Sequence, residues 1–169
     1  MKSIILDIDH CLVFASYSEL SEQELISKRG YHYLYFRPNL SEFLSFLQKS
    51  RYRIIFYTSG KSDYAKWIVS QFQMNCEYYL FTRKFTRWKQ TDYGELFFKS
   101  SARLPVKMTK KTFVLDDRID LWEDNDEVFL DISPWHGEVE DRELQGIMKH
   151  LLKKQPHLKE LSLIKSDLK

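Results

Sequence analysis

The stretch Ser3–Phe14, SIILDIDHCLVF, decides how the chain is read. Ile4, Ile5 and Leu6 form an apolar, β-branched run too short for a helix, so residues 2–8 are expected to be a buried strand. The run ends on Asp7, and Asp9 follows two residues later, before the chain turns apolar again. A central strand does not bury two carboxylates without compensation. Either the strand tip opens into a site, or a cation belongs there.

Further along, the same pattern recurs. YRIIFYTSG (52–60) is a second buried strand ending in small polar residues, and TFVLDDR (112–118) is an apolar run ending on Asp116 and Asp117. YHYLYF (31–36), YYLFTR (78–83) and EVFLDIS (127–133) read as further strands. Between them lie amphipathic helical patterns. Leu40, Phe43, Leu44 and Leu47 recur at helical spacing behind Pro38 and Asn39, and Asn39 with Glu42 is a capping-box arrangement. Ala65, Ile68, Val69 and Phe72 make a second face, and Leu144, Ile147, Met148, Leu151 and Leu152 a third. SELSEQELISKRG (18–30) is also read as helical. Strands alternating with helices give an α/β fold, Rossmann-like, with a mostly parallel central sheet flanked by helices. In such sheets the ligand crevice lies beyond the carboxyl ends of the strands. Asp7 and Asp9, Thr58-Ser59-Gly60, and Asp116 and Asp117 all fall there, which argues for one shared site.

Composition sets the outer bounds. At 169 residues, with 43% hydrophobic and 15% aromatic content, the chain is long enough for a real core. A net charge of +2 requires neither nucleic acid nor membrane as partner. No apolar run approaches the length of a membrane span, and no signal peptide is visible. Cys11 and Cys76 form no metal-ligand or redox pair, which points to an intracellular setting, cytoplasmic or nuclear. Gly and Pro are sparse, so no linker divides the chain, and a monomer is expected.

Four carboxylates at one crevice need a cation. Oxygen ligands without a His or Cys cluster favour Mg²⁺. A carboxylate can attack phosphorus to give an aspartyl phosphate, and an acid two residues on can protonate the leaving oxygen and then activate water. The Thr58 hydroxyl and N–H groups near Gly60 can hold phosphate oxygens. A positive side chain for the phosphoryl group is also needed, and Lys99, Arg103, Lys107, Lys110 and Lys111 all precede Asp116. Spacing does not choose among them.

These residues resemble a known family. DIDHCLV is similar to the DxDxTLV motif of haloacid-dehalogenase-type phosphatases. YLYFRPNLSEFLSFL, IIFYTSGKSDYAKWIVSQF, FFKSSARLP, FVLDDRIDLW and LDISPWHGEVEDREL resemble, in order, segments of the branch that dephosphorylates the C-terminal domain of RNA polymerase II and its small relatives. The resemblance covers roughly residues 3–152. It implies that Asp7 is the nucleophile and Asp9 the general acid/base, that Thr58 and Ser59 bind phosphate, and that Lys99 pairs with the phosphoryl charge. Asp7, Asp9, Asp116 and Asp117 are implied to hold Mg²⁺, Asp117 more directly than Asp116. Residues 1–154 would form the phosphatase domain, with 81–98 a small insertion near the site, no large cap domain, and 155–169 a charged tail.

The implied function is Mg²⁺-dependent phosphomonoester hydrolysis, with a phosphoprotein the expected partner and phosphoserine or phosphothreonine the expected substrate. The alternatives are a phosphatase of nucleic-acid ends and a non-catalytic phosphate-binding scaffold. Cys11 stands where the motif has Thr, and a thiol is a weak donor. His10 replaces a commonly acidic position. In the insertion, Arg83, Lys84, Arg87 and Lys89 interleave with Phe85 and Trp88, and Arg87 and Lys89 are expected to contact a large substrate. That composition suits a phosphopeptide and also nucleic acid. His10, His32 and His136 lack metal-ligand spacing, and Trp122 and Trp135 are read as packing groups.

Overall fold

Ile4, Ile5 and Leu6 are fully buried, as a strand covered on both faces must be. They belong to β1 (Lys2–Leu6), at the centre of a computed structural model that describes residues 2–92, 94–109, 111–123 and 127–154. The expected charged tail, 155–169, lies outside the described residues. Three short strands follow β1: β2 (Val13–Ser16), β3 (Ser27–Arg29) and β4 (His32–Phe36). Then come α1 (Leu40–Lys49), β5 (Tyr52–Tyr57), α2 (Ser62–Val69) and β6 (Tyr78–Phe81). The insertion supplies β7 (Arg87–Thr91) and β8 (Gly94–Phe98), and the chain closes with β9 (Thr112–Leu115), β10 (Val128–Leu130) and α3 (Glu143–Lys153).

The central sheet has the order β10-β9-β1-β5-β6 and every pairing in it is parallel. Leu6 is in register with Phe56 on one side and Leu115 on the other, so Asp7, the Thr58 loop and Asp116 leave the sheet together. Side-chain alternation divides the core. Ile4, Leu6, Ile54 and Phe56 face Phe43 and Leu47 of α1, Ile68 of α2, and Ile147 and Leu151 of α3. Ile5, Ile55, Tyr57 and Val114 face the opposite way, against Leu104 and Trp122. The three helices thus share one face, and irregular chain after β8 covers the other. Truncating Phe43 or Leu47 to alanine would cost about 2–5 kcal/mol, the usual range for such a core cavity.

Two local expectations are corrected. Residues 18–30 contain no helix: β3 pairs antiparallel with β4, and β4 with β2, in a separate three-stranded sheet. Contacts distant in sequence override the local helical preference. The Tyr35 hydroxyl accepts the Leu20 N–H at 2.8 Å, and a Cβ added to Gly137, which has φ +106°, would stand 2.6 Å from Leu20 Cδ1. The capping box at α1 does not form either. Asn39 has φ 66° and makes no side-chain cap; its Oδ1 instead accepts from Gln145 Nε2 at 2.9 Å, tying the start of α1 to α3.

Candidate active site

The tips of β9 and β1 bring the acids together. Carboxylate oxygens of Asp7, Asp116 and Asp117 lie within 4.8 Å of one another. Lys99 reaches this cluster from the far end of β8. Its ammonium donates to Asp7 Oδ1 and, at 2.7 Å, to Asp116 Oδ2. The backbone fixes Lys99 on both sides: its N–H donates to the Leu121 carbonyl, and its carbonyl accepts the Glu123 N–H, each at 2.9 Å. Lys99, left open by spacing and chosen by resemblance, is the lysine that reaches the acids.

Asp116 is held by more than Lys99. The Trp122 indole N–H donates to Oδ2 at 2.8 Å and the Arg118 N–H to Oδ1 at 2.9 Å. A carboxylate has about four acceptor positions, so little of Asp116 remains for another ligand. Asp117 is half-buried and receives no side-chain donor among the described residues. Trp122 does pack, edge-on against Tyr57 and Phe129, but it also orients an acid, which its reading as a packing group missed.

Asp9 stands outside the three-acid cluster. Its Oδ1 accepts from the Tyr64 hydroxyl at 2.6 Å, and Thr58 Oγ1 lies 3.5 Å from its Oδ2. Thr58 Oγ1 also accepts the Gly60 N–H at 2.9 Å. A Cβ at Gly60 would sit 3.2 Å from that oxygen and 3.3 Å from Tyr64, so the bare glycine lets loop and ring close up. His10 adopts a left-handed conformation, φ 60°. Its N–H donates to Val13 O at 2.8 Å, its carbonyl accepts the Trp135 N–H at 2.7 Å, and its Nδ1 lies 3.2 Å from Trp135 O. Cys11 is buried, with Sγ 3.6 Å from the Leu115 carbonyl: a weak version of the anchor a hydroxyl would supply.

Electrostatics follow from burial. Asp7 holds its proton more tightly than an ordinary carboxylate, first because it is buried and then because Asp116 and Asp9 are near; Lys99 offsets part of this. Burial raises Asp9 and Asp117 as well, with Asp116 adding to the effect on Asp117. Burial pushes the Lys99 ammonium down, but Asp116 and Asp7 outweigh it and the group stays charged. Burial and then Asp9 push the Tyr64 phenol up, so it remains a donor. One ammonium among three clustered carboxylates leaves net negative charge in a low-dielectric site. An all-oxygen donor set of this kind fits a hard divalent cation.

Two openings meet here. A pocket of about 150 Å³ is lined by Asp7, Asp9, Thr58, Lys99, Asp117 and Phe97, among others. A groove of about 880 Å³ adjoins it, sharing Asp9, His10 and Ser59 and walled by Tyr17, Tyr64 and Arg83. Arg83 donates to Ser59 O at 2.7 Å and lies over the Phe97 ring at 4.1 Å. Arg87 and Lys89 line neither opening; Arg87 is bound to Glu123 at 2.5 Å. Sequence reasoning singled out neither Tyr64 nor Arg83 as a site residue. The available signals were a tyrosine in the first turn after a phosphate loop, at the edge of its helix's apolar face, and an arginine two residues after β6.

The family model of NLI interacting factor-like phosphatases matches residues 2–162, and the chain belongs to that family. It is a haloacid-dehalogenase-type phosphatase acting on a phosphorylated substrate, within a family that generally uses Mg²⁺. A comparison with curated protein sequences finds no match. Among the described residues no helix is long and apolar enough to cross a membrane.

Proposed function

We propose that this phosphatase hydrolyses phosphoserine and phosphothreonine in proteins, through an aspartyl phosphate on Asp7 and with Mg²⁺ bound. The observation that carries the reading is the arrangement around Asp7: one carboxylate oxygen fixed by Lys99, an acid cluster on one side, and Asp9 held apart by Tyr64 on the other. The free oxygen of Asp7 attacks phosphorus as the ester P–O bond breaks. Asp9, whose proton burial holds more tightly than in an ordinary carboxylate, gives that proton to the departing serine or threonine oxygen. Asp9 then takes a proton from water, whose oxygen attacks phosphorus and breaks the bond to Asp7, releasing inorganic phosphate. Lys99 and the Thr58 loop offset charge on the phosphoryl oxygens, and Ser59 lines their approach. Asp7 and Asp117, with Asp116 behind them, would hold Mg²⁺, which when bound supplies charge neutralisation at the phosphoryl group. Arg87 and Lys89 add positive charge that steers a large anionic substrate from outside the pocket.

The protein substrate is favoured by the open groove, whose aromatic and basic walls run on from the pocket. The test uses chelated and Mg²⁺-loaded protein on an aryl phosphate, on phosphoserine peptides and on 3′-phosphorylated oligonucleotides. Turnover should require Mg²⁺ and favour the peptides, and a hydroxylamine-sensitive phosphoryl label should accumulate on Asp7. Undiminished turnover in excess chelator rules out the metal, and preference for the oligonucleotide rules out the substrate class.

A further inference from the structure

We infer that Trp88 is a specificity-determining residue, which takes up an apolar side chain next to the phosphoserine or phosphothreonine of a peptide substrate. The inference rests on the protein-substrate reading above. Its basis is the register of the insertion hairpin. In β7 and β8, Trp88 pairs with Phe97, Arg87 with Phe98 and Lys89 with Leu96. Directly paired residues share a face of the ladder, and successive residues alternate. Trp88 and Phe97 therefore stand on one face, and Arg87, Lys89, Leu96 and Phe98 on the other.

The face of Phe97 is the active-site face. Phe97 lines the catalytic pocket with Asp7, Asp9 and Lys99, and its ring lies under Arg83, which walls the adjoining groove. The reverse face is engaged within the protein: Arg87 binds Glu123 and covers the Phe98 ring at 4.7 Å. Trp88 is 59% exposed, whereas Trp67, Trp122 and Trp135 are buried or half-buried. Its neighbour across the ladder is about 5 Å away. An extended peptide advances about 3.3–3.6 Å per residue, so an indole one strand beyond the pocket rim meets side chains within about two residues of the phosphoresidue.

The same register decides between peptide and nucleic acid. A single-strand binder sets cations beside its stacking aromatic to follow the phosphate backbone. Here the hairpin's Arg87 and Lys89 are on the face away from Trp88. The cation on the face of Trp88 is Arg83, which covers the Phe97 ring and is tied to the Ser59 carbonyl, so what Trp88 itself offers beside the pocket is an apolar surface.

The experiment compares the full chain with its Trp88→Ala and Trp88→Phe variants. The substrates are para-nitrophenyl phosphate, a 3′-phosphorylated oligonucleotide, and Gly/Ser phosphoserine peptides carrying one Leu moved from position −3 to +3. The parent should prefer Leu at one position by about 5–10-fold in kcat/KM, the low end of what one apolar contact supplies. Trp88→Ala should erase that preference, Trp88→Phe should keep most of it, and the aryl phosphate should stay within about twofold. Any of four results overturns the inference: no Leu preference in the parent, a preference that survives in Trp88→Ala, an equal loss on the aryl phosphate, or a loss confined to the oligonucleotide. A parent that clears the aryl phosphate but no peptide refutes the protein-substrate reading itself. A parent that clears phosphopeptides without any Leu preference, or a preference that survives in Trp88→Ala, would refute only the role of Trp88.

Discussion

Lys99 and Trp88 belong to the same open end of one hairpin and live in opposite surroundings. Lys99 is 5% exposed, bound to two buried acids and fixed by backbone bonds on both sides. Trp88 is more than half exposed, on a strand whose only ladder partner among the described residues is β8. At Lys99 every partner is another part of the chain, so a substitution changes charge balance, chemistry and stability at once. At Trp88 the missing partner is the substrate, so a substitution should change which molecules are processed and little else.

The comparison is most severely tested at Asp7. Asp7→Asn should lose activity on the order of 10⁴-fold or more, as removal of a covalent nucleophile does, while the folded structure persists. Activity near the parent level, with circular dichroism unchanged, would remove Asp7 from the reaction. Lys99→Met should reduce kcat by about 10²–10³-fold, typical for loss of a charge-stabilising donor. It also leaves Asp7 and Asp116 buried without their cation, a loss of about 3–5 kcal/mol that denaturant titration will read.

Asp117→Asn should separate activity from stability. Burial and Asp116 raise the Asp117 pKa above its ordinary value of 3.8, so the proton is bound more tightly in the folded protein than in the unfolded chain. The folded state is therefore favoured below that value, and the benefit fades as pH rises through the folded pKa. In metal-free protein the thermal midpoint of Asp117→Asn should gain on the parent as pH climbs past 3.8. Mg²⁺ should reverse the order. At about 100 times its Kd a ligand contributes about 2.7 kcal/mol, or about 5–10 °C in a domain of this size, and the variant should lose most of that rise.

Smaller effects are expected further out. Tyr64→Phe removes the hydroxyl that holds Asp9, so kcat should fall about 10-fold for phosphoserine, whose alkoxide must be protonated, and less for an aryl phosphate with a good leaving group. Equal losses on both would deny Tyr64 any part in placing the acid. Arg87→Ala combined with Lys89→Ala should lower kcat/KM for phosphopeptides by less than about threefold at low salt, through steering alone. The deficit should vanish at high ionic strength. A large, salt-resistant loss would place these side chains against the substrate and weaken the contrast with Trp88.

The parallel sheet was legible because Ile4–Leu6, Ile54–Phe56 and Phe113–Leu115 are uninterrupted apolar runs, and such runs need cover on both faces. The acids were legible because each follows one of those runs. The antiparallel sheet at 13–36 was not, because its register depends on bonds such as Leu20 to Tyr35 that no local period encodes. The faces of the hairpin were hidden for a related reason. Arg87, Trp88 and Lys89 read as one basic aromatic patch in sequence, and only pairing with β8 shows that the strand sends them to opposite sides.

Arg37 is 1% exposed, donates twice to Asp141 at 2.9 and 2.8 Å, and donates to the Cys11 carbonyl at 3.1 Å. Together with the Trp135 bond to His10, it fastens the loop after the first strand to the last quarter of the chain. The central strand is made first in synthesis, yet its neighbours β5 and β9 and this fastening are all made later. The site is therefore incomplete until those later segments have joined the first strand. Long-range closure of this kind slows folding and lengthens the time an unpaired apolar strand is open to wrong partners. Until the segment around Asp141 has docked, the loop that follows the first strand and carries Asp9 is without this fastening.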